Sequence, residues 1–523
     1  MKKMGLVVAI FFGVILLTST VVIALPGLMS PLSDDPEITL TGTPADNYID
    51  VQRPQYCGTG DARSTTYVKE YKIPTDCTNP LAITTDYDGN VWFAQSNTGN
   101  IVKFDPATEL FTEFENPVWP DGGRSMMWGM DYSPDGSIWY TDEVFDSIWK
   151  FSTFDESYGR LGYPAESTDA LPQKIEVFGS SLIFNDFTGG NLVVLTPTED
   201  DASMFSIPQI LNGSVTSDFA SDVEKNIWFT SWIFQDSGVL AKFDYDTYSE
   251  NPTNSTLVMG DVVQVFPLPN DASSINGVEA HEDGTIWLAD TSSSFFFMFN
   301  PATAQFTKFV TSDPHPSTYG NATGIIKSTS SRPYWIEATD NNNLVFNEHN
   351  ANRIAVFNPS EQSLVEYMVP SKNPNWADCG EMPDCGVSQI FDIAVDGEKI
   401  WFTEWVENNI GVVDTSIELP FEVALDSDLV FMGPDSSESI TFTITAKEQQ
   451  DLSGLSHIAV SSDDSLTITV DTSQAFEQDY DTNTIAATIH TDLDSIPGQY
   501  KVLLGASTDE VSISKFLTVT VLP

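Results

Sequence analysis

Five acids recur at one place in a repeated pattern. Asp142, Asp186, Asp290, Glu348 and Glu404 each stand two residues after an aromatic or apolar pair, respectively Trp139-Tyr140, Ile183-Phe184, Trp287-Leu288, Val345-Phe346 and Trp401-Phe402. Carboxylates gathered at one point repel one another, which raises their pKa values or calls for a cation. Asn276 and Gln389, each at the start of an expected strand, add neutral oxygens, and an oxygen-only set suits a hard cation such as Ca2+ or Mg2+. The competing use of the same acids is local: each caps its own turn or faces solvent. His349 follows Glu348 and is the one histidine placed to serve as a base or ligand. Trp128, Trp232 and Trp405 flank the same region, where indole faces stack on sugars, aromatic groups or cations. Other chemistry finds little support in the sequence: there is no Walker loop, no dinucleotide-binding glycine pattern, no G-x-S-x-G elbow and no H-E-x-x-H.

The elements that must position these residues are short strands. An apolar stretch, a turn, and then the aromatic pair recur seven times when Trp92-Phe93 and Trp228-Phe229 are added, at spacings of 44 to 59 residues. Four copies write the turn Asp-Gly (Asp88-Gly89, Asp135-Gly136, Asp283-Gly284, Asp396-Gly397), which tight-hairpin chemistry explains without a ligand. A second alternating strand pair follows each copy, so the pattern predicts an all-β fold: a seven-bladed β-propeller over residues 65–416 with four strands per blade. The last copy lacks its fourth strand, and TTYVKEYKIP at Thr65 to Pro74 is the orphan that would close the ring. The acids then fall at the ends of second strands, at the channel mouth. From 419 to 523 tryptophan disappears and short alternating strands dominate, which predicts an immunoglobulin-like β-sandwich serving as a spacer or attachment module.

Lys2 and Lys3 precede a long apolar run, so residues 1–29 read as a signal anchor or a cleaved signal peptide and 30–64 as a tether. Four cysteines in an exported chain read as disulfides, with Cys57–Cys77 and Cys379–Cys385 the closest pairs in sequence. Asn212, Asn254 and Asn321 begin glycosylation sequons. With 75 acidic against 22 basic residues the net charge is −53. Such a chain cannot neutralise phosphates, which excludes nucleic acid as a partner, and its hydrated acidic surface suits a salty exterior.

The copies FDIAVDGEKIWFTEWVENNIGVV and FNEHNANRIAVFNP resemble the blades of the streptogramin (virginiamycin B) lyase-like propellers. The resemblance implies a fold and, for members that open a cyclic depsipeptide ester by elimination, a histidine base and carboxylate-held magnesium. In those members the histidine lies fourteen positions before the Glu of W-F-T-E. Counting back likewise here reaches Leu81, Trp128, Pro172, Ser217, Asn276, Tyr334 and Ile390, none of them histidine. The senescence-marker-type lactonases share the fold and a carboxylate-held metal. The expectation is therefore an exported, membrane-anchored propeller that binds a small-molecule, glycan or envelope-protein ligand, with a divalent cation at the mouth. A metal-dependent lyase or lactonase, and a cell-envelope scaffold, are the alternatives.

Overall fold

A computed structural model describes residues 57–523 apart from 59, 121–122, 164–169, 198–201, 235, 251–258, 325, 448–453 and 472–481. The segment expected to be a signal or anchor lies outside the described residues, as does Asn254. No helix among the described residues is long and apolar enough to cross a membrane.

Seven four-stranded antiparallel units form the propeller. Their innermost strands are Pro80–Thr85, Met130–Ser133, Pro172–Phe178, Val215–Ser221, Ile275–Ala280, Pro333–Ala338 and Ile390–Asp396, numbered here as blades one to seven. The aromatic pairs sit on the second strands, such as Ser137–Asp142 and Lys399–Glu404. Adjacent residues of a strand point to opposite faces. A blade is covered by a neighbour on each face, so both members of the pair must be apolar. Trp401 and Phe402 are accordingly buried on opposite sides of blade seven. The Asp-Gly turns hold Gly89 and Gly136 at φ +77°, the left-handed conformation a tight hairpin requires.

In five of the seven blades the residue after the pair fastens one blade to the next; in blades one and five it is alanine, Ala94 and Ala289. Thr141 Oγ1 donates to the Gln173 carbonyl at 2.7 Å, Thr230 to that of Ile275 at 2.8 Å, and Thr403 to that of Leu81 at 2.8 Å. Asn185 Nδ2 donates to the Thr216 carbonyl at 3.0 Å and Asn347 to those of Ile390 and Phe391. Each accepting carbonyl belongs to the innermost strand of the following blade, or directly precedes its bulge.

The ring closes as the orphan strand requires. Val68–Lys72 pairs with Asn409–Asp414 of blade seven, Val68 opposite Val413 and Lys72 opposite Asn409. Cys57 and Cys77 are joined beside this strand.

The C-terminal residues form two packed sheets. One runs Phe421–Leu425, Ser437–Ala446, Thr482–Thr491, Leu466–Val470, and the other contains Ser456–Ser461, Gly498–Ser507 and Val511–Val521. Ile440, Phe442 and Ile485 of the first meet Val502, Leu504 and Val519 of the second in one core. This domain packs directly on the propeller. Its last strand pairs with the outer strand of blade six, Ser363–Met368, with Tyr367 opposite Val511 and Ser363 opposite Lys515. An outer blade edge is a row of unmatched backbone groups, and pairing there satisfies it. Phe516 then wedges among Phe296, Phe309 and Phe357, with ring centroids 5.1 to 6.2 Å apart.

Two outcomes follow. Deleting residues 65–74 should leave blade seven with an open edge and turn the protein into an aggregate by size-exclusion chromatography, whereas a soluble monomer with unchanged melting temperature would misplace the closing strand. Phe516→Ala should cost about 3–5 kcal/mol in denaturant titration, the usual range for truncating a fully buried phenylalanine.

Candidate functional site

The five repeated acids are all buried, and each meets donors of its own turn or adjoining segment. Asp142 accepts from Ser125, from the Trp149 indole at 2.9 Å and from the Phe145 amide at 3.2 Å. Asp186 accepts from the Leu171 and Gly189 amides at 2.9 and 3.0 Å and from the Tyr163 hydroxyl at 3.0 Å. Asp290 accepts from the amides of Ser273, Ser274 and Ser292 at 3.0 to 3.2 Å. Glu348 is clamped by Arg353 at 2.6 and 3.0 Å, and Arg353 reaches Glu366 at 3.2 Å on its other side. Glu404 accepts from Asn409 at 2.7 Å and lies against Glu70 of the closing strand. Burial first, and Glu70 second, hold its carboxyl well above the usual range, and its Oε1 has no hydrogen-bond partner.

The reason for this dispersal is local. A buried turn between the second and third strands exposes amides that need acceptors, and an acid at the strand end supplies them. The five carboxylates therefore do not converge, and among the described residues no three His, Cys, Asp or Glu side chains gather closely enough to hold a metal ion. Asn276 belongs to a separate network, accepting from Ser217 at 2.5 Å and donating to Thr291 at 2.6 Å, with all of blade six between it and Gln389.

What the structure does bring together is aromatic. Phe391, on the innermost strand of blade seven, has the rings of Trp128, Tyr334, His349 and Trp405 at centroid distances of 5.1, 5.2, 5.6 and 6.0 Å. Trp335 packs on Tyr334 at 4.8 Å and Trp376 on Trp405 at 5.9 Å. All are buried, so Trp128 and Trp405 are not rim residues. The Trp128 indole is taken by Glu143 at 2.8 Å, and Trp232, in blade four, donates to the Ile275 carbonyl at 2.8 Å.

Polar atoms are left over inside this cluster. The indole N–H groups of Trp335, Trp376 and Trp405 and the Gln389 Oε1 have no protein partner, although each side chain is more than nine-tenths buried. Leaving such a group unmet costs about 1–3 kcal/mol, so four in one place are unusual. His349 Nδ1 faces the Ile390 carbonyl at 3.0 Å; a carbonyl only accepts, so Nδ1 is assigned the proton and Nε2 is the bare acceptor. Gln389 neighbours that nitrogen, but Nε2 completes no hydrogen bond of normal geometry. Burial, reinforced by the Arg332 cation, pushes the His349 pKa down to about 3, so the ring is neutral at any physiological pH. Arg332 and Gln389, in the segments leading into blades six and seven, hold left-handed backbone conformations at φ +60° and +57°. Buried non-glycine residues in that region store strain, and strain collects where a site needs it.

Two long connections cover the cluster. Residues 311–332 and 369–389 are knitted to each other by the Gly386 amide on the Ser317 carbonyl at 2.7 Å and the Asn321 amide on that of Asp378 at 2.9 Å. The bridge between Cys379 and Cys385 lies within the second. Asn212 and Asn321 are both exposed in loops, the second on this cap. Sequence reasoning missed Tyr334, Trp335, Trp376, Phe391 and Arg332. The available signal was the length of the connections leading into blades six and seven and the aromatic residues Tyr334, Trp335, Trp376 and Phe391 in or beside them.

No protein-family model matches the sequence, and no curated protein matches it at a significant level. Solved structures do. A streptogramin B lyase superposes with a TM-score of 0.50 at 20% identity, covering 66% of this chain and 96% of that one. Virginiamycin B lyase from Staphylococcus aureus gives 0.50 at 20%, covering 66% and 98%, and a catalytically inactive variant of it with quinupristin gives 0.50 at 19%, covering 66% and 98%. At such identities the likeness is one of fold: the propeller is of the streptogramin lyase type.

The His349 geometry has a pH consequence. Its pKa is lower folded than unfolded, so its contribution to stability is full above the unfolded value near 6.5 and is lost as pH falls toward 3. His349→Gln should therefore lose less stability between pH 7 and pH 4.5 than the parent in urea titrations; an equal loss would mean the ring is charged or exposed.

Proposed function

We propose that this chain is an exported, N-terminally anchored ligand-binding propeller, and that its ligand enters the capped aromatic cluster between blades six and seven. Lys2 and Lys3 ahead of the apolar run, two disulfides and the acidic surface support a place outside the cytoplasm. The observation that carries the binding reading is the set of buried donors and acceptors without partners around Phe391. Three indole N–H groups, one neutral imidazole nitrogen and one amide oxygen, set among aromatic faces, match a ligand rich in carbonyl and hydroxyl groups. A glycan, a peptide or a depsipeptide such as quinupristin has that chemistry.

Ca2+ or Mg2+ at the mouth is less well supported. Among the described residues the five acids do not gather into a ligand set. The lyase reading also needs a base. His349 is the nearest candidate, and a nitrogen with a pKa near 3 accepts a hydrogen bond but is a poor proton acceptor at neutral pH. Binding without turnover is the economical reading.

The test is a thermal-shift screen of oligosaccharides, short peptides and quinupristin, followed by Trp335→Phe and Trp405→Phe. Each substitution removes an N–H and keeps most of the ring. A ligand that raises the melting temperature of the parent should bind about tenfold more weakly to each variant, the equivalent of one hydrogen bond of about 1.4 kcal/mol. Binding that neither variant weakens would place the site elsewhere.

A further inference from the structure

The aromatic cluster around Phe391 is closed. No ring in it is more than 4% exposed, so a molecule that meets its unpaired nitrogens must first displace a ring. The rings differ in what holds them. Phe391, Tyr334 and Trp335 stand on innermost strands, Trp405 directly follows the second strand of blade seven, and the Trp128 indole is bonded to Glu143 at 2.8 Å. Trp376 is carried instead by the long connection into blade seven.

That connection contains a closed loop. The Asn373 amide donates to the Val387 carbonyl at 3.1 Å in an isolated antiparallel bridge, so residues 374–386 leave and return at one neck, the form of an Ω-loop. Gly386 permits the neck: at its φ of +122°, a Cβ would lie 2.1 Å from the Asn373 carbonyl oxygen. The Cys379–Cys385 bridge ties the far part of the loop back to this neck, and within it the Met382 amide donates to the Cys379 carbonyl at 2.8 Å. The loop is thereby one body. At its base the single helical turn Pro374–Trp376, capped by the Asn373 side chain, sets the Trp376 ring 5.9 Å from that of Trp405.

Little else fastens this body to the propeller. Between Pro374 and Asp384, Trp376 is the one buried side chain. Backbone bonds join the loop to the neighbouring connection: Gly386 donates to the Ser317 carbonyl at 2.7 Å, Asn321 to that of Asp378 at 2.9 Å and Ile326 to that of Trp376 at 3.4 Å. Thr323 also donates to the Asp378 carboxylate. Asp384 pairs with Arg63, ahead of the closing strand, at 2.7 Å and with Lys372 at 3.4 Å, and the Arg63 and Asp384 side chains are about half exposed. Exposed ion pairs hold weakly, and a segment with few buried apolar contacts opens at lower cost than the sheets beneath it.

We propose that Trp376 is the gate of this site: residues 374–386 swing as one piece about the Asn373–Val387 neck, lift the indole off Trp405 and open the path by which a ligand enters. The inference rests on the ligand-binding reading of the cluster and adds its regulation. The open form is a minor state of the free protein, and the ligand is admitted only through it.

The test needs no ligand. A hydroxynitrobenzyl sulfonium reagent, which alkylates accessible indoles, is applied to the full described protein and the labelled tryptophans are located by mass spectrometry. Trp376 and Trp405 should be labelled together, while Trp287 and Trp401, buried between blades, stay unlabelled. Asp384→Ala, which loses both ion pairs, should raise the labelling rate of Trp376 and Trp405 by about three- to tenfold with an unchanged melting temperature. Trp376 and Trp405 reacting no faster than Trp401, or at a rate that Asp384→Ala leaves unchanged, would overturn the gate. Labelling as expected beside a ligand screen in which nothing binds would count against the binding reading instead, so the two failures are distinguishable.

Discussion

A blade of this protein cannot stand alone, because both faces of its second strand are apolar. Trp92-Phe93, Trp139-Tyr140 and Trp401-Phe402 each put one ring on each side of a sheet, so every blade needs two neighbours and the series must return to its start. That requirement explains why a strand from residues 68–72 travels to blade seven. It also explains the third residue of the motif, which in five of the seven blades is a threonine or asparagine that donates across the seam to the next innermost strand. The C-terminal domain obeys the same logic from outside, since it occupies the one kind of edge that ring closure leaves open.

Within this frame the acidic residues do two different things. At the ends of second strands, acids receive turn amides and disappear into the turns they stabilise. On innermost strands, Asp131, Asp218 and Asp392 reach the following blade and act as seam fasteners. The surface charge that dominates the composition is a separate matter, being set by solvent and not by packing.

The propeller was legible because its signal is repetitive and rests on local periodicity. The closing strand was legible by counting, as one blade lacked a strand and one strand lacked a blade. The five acids were visible too, but a strand-end acid that caps a turn and one that binds metal look identical in sequence; only the positions of amides such as Leu171 and Gly189 separate them. Asn276 and Gln389 were grouped by strand position, which ignores the blade that stands between them. The Trp335, Trp376 and Trp405 cluster was hidden for a different reason. It is assembled from two strands and a long connection, and nothing in a linear pattern says that Trp376 folds back onto Trp405. The docking of the last strand on blade six is equally non-local, joining residues about 150 positions apart.

The central claim is that the covered aromatic cluster is a site awaiting a ligand rather than a flaw in packing. The most direct measurement is a high-resolution crystal structure of the purified protein, inspected for density at the indole nitrogens of Trp335, Trp376 and Trp405 and at His349 Nε2. Ordered water or ligand atoms within hydrogen-bond distance of these groups, in one connected volume beside Phe391, is the expected result. Dry apolar packing against all four nitrogens, or indoles turned to pair with backbone carbonyls, would contradict it.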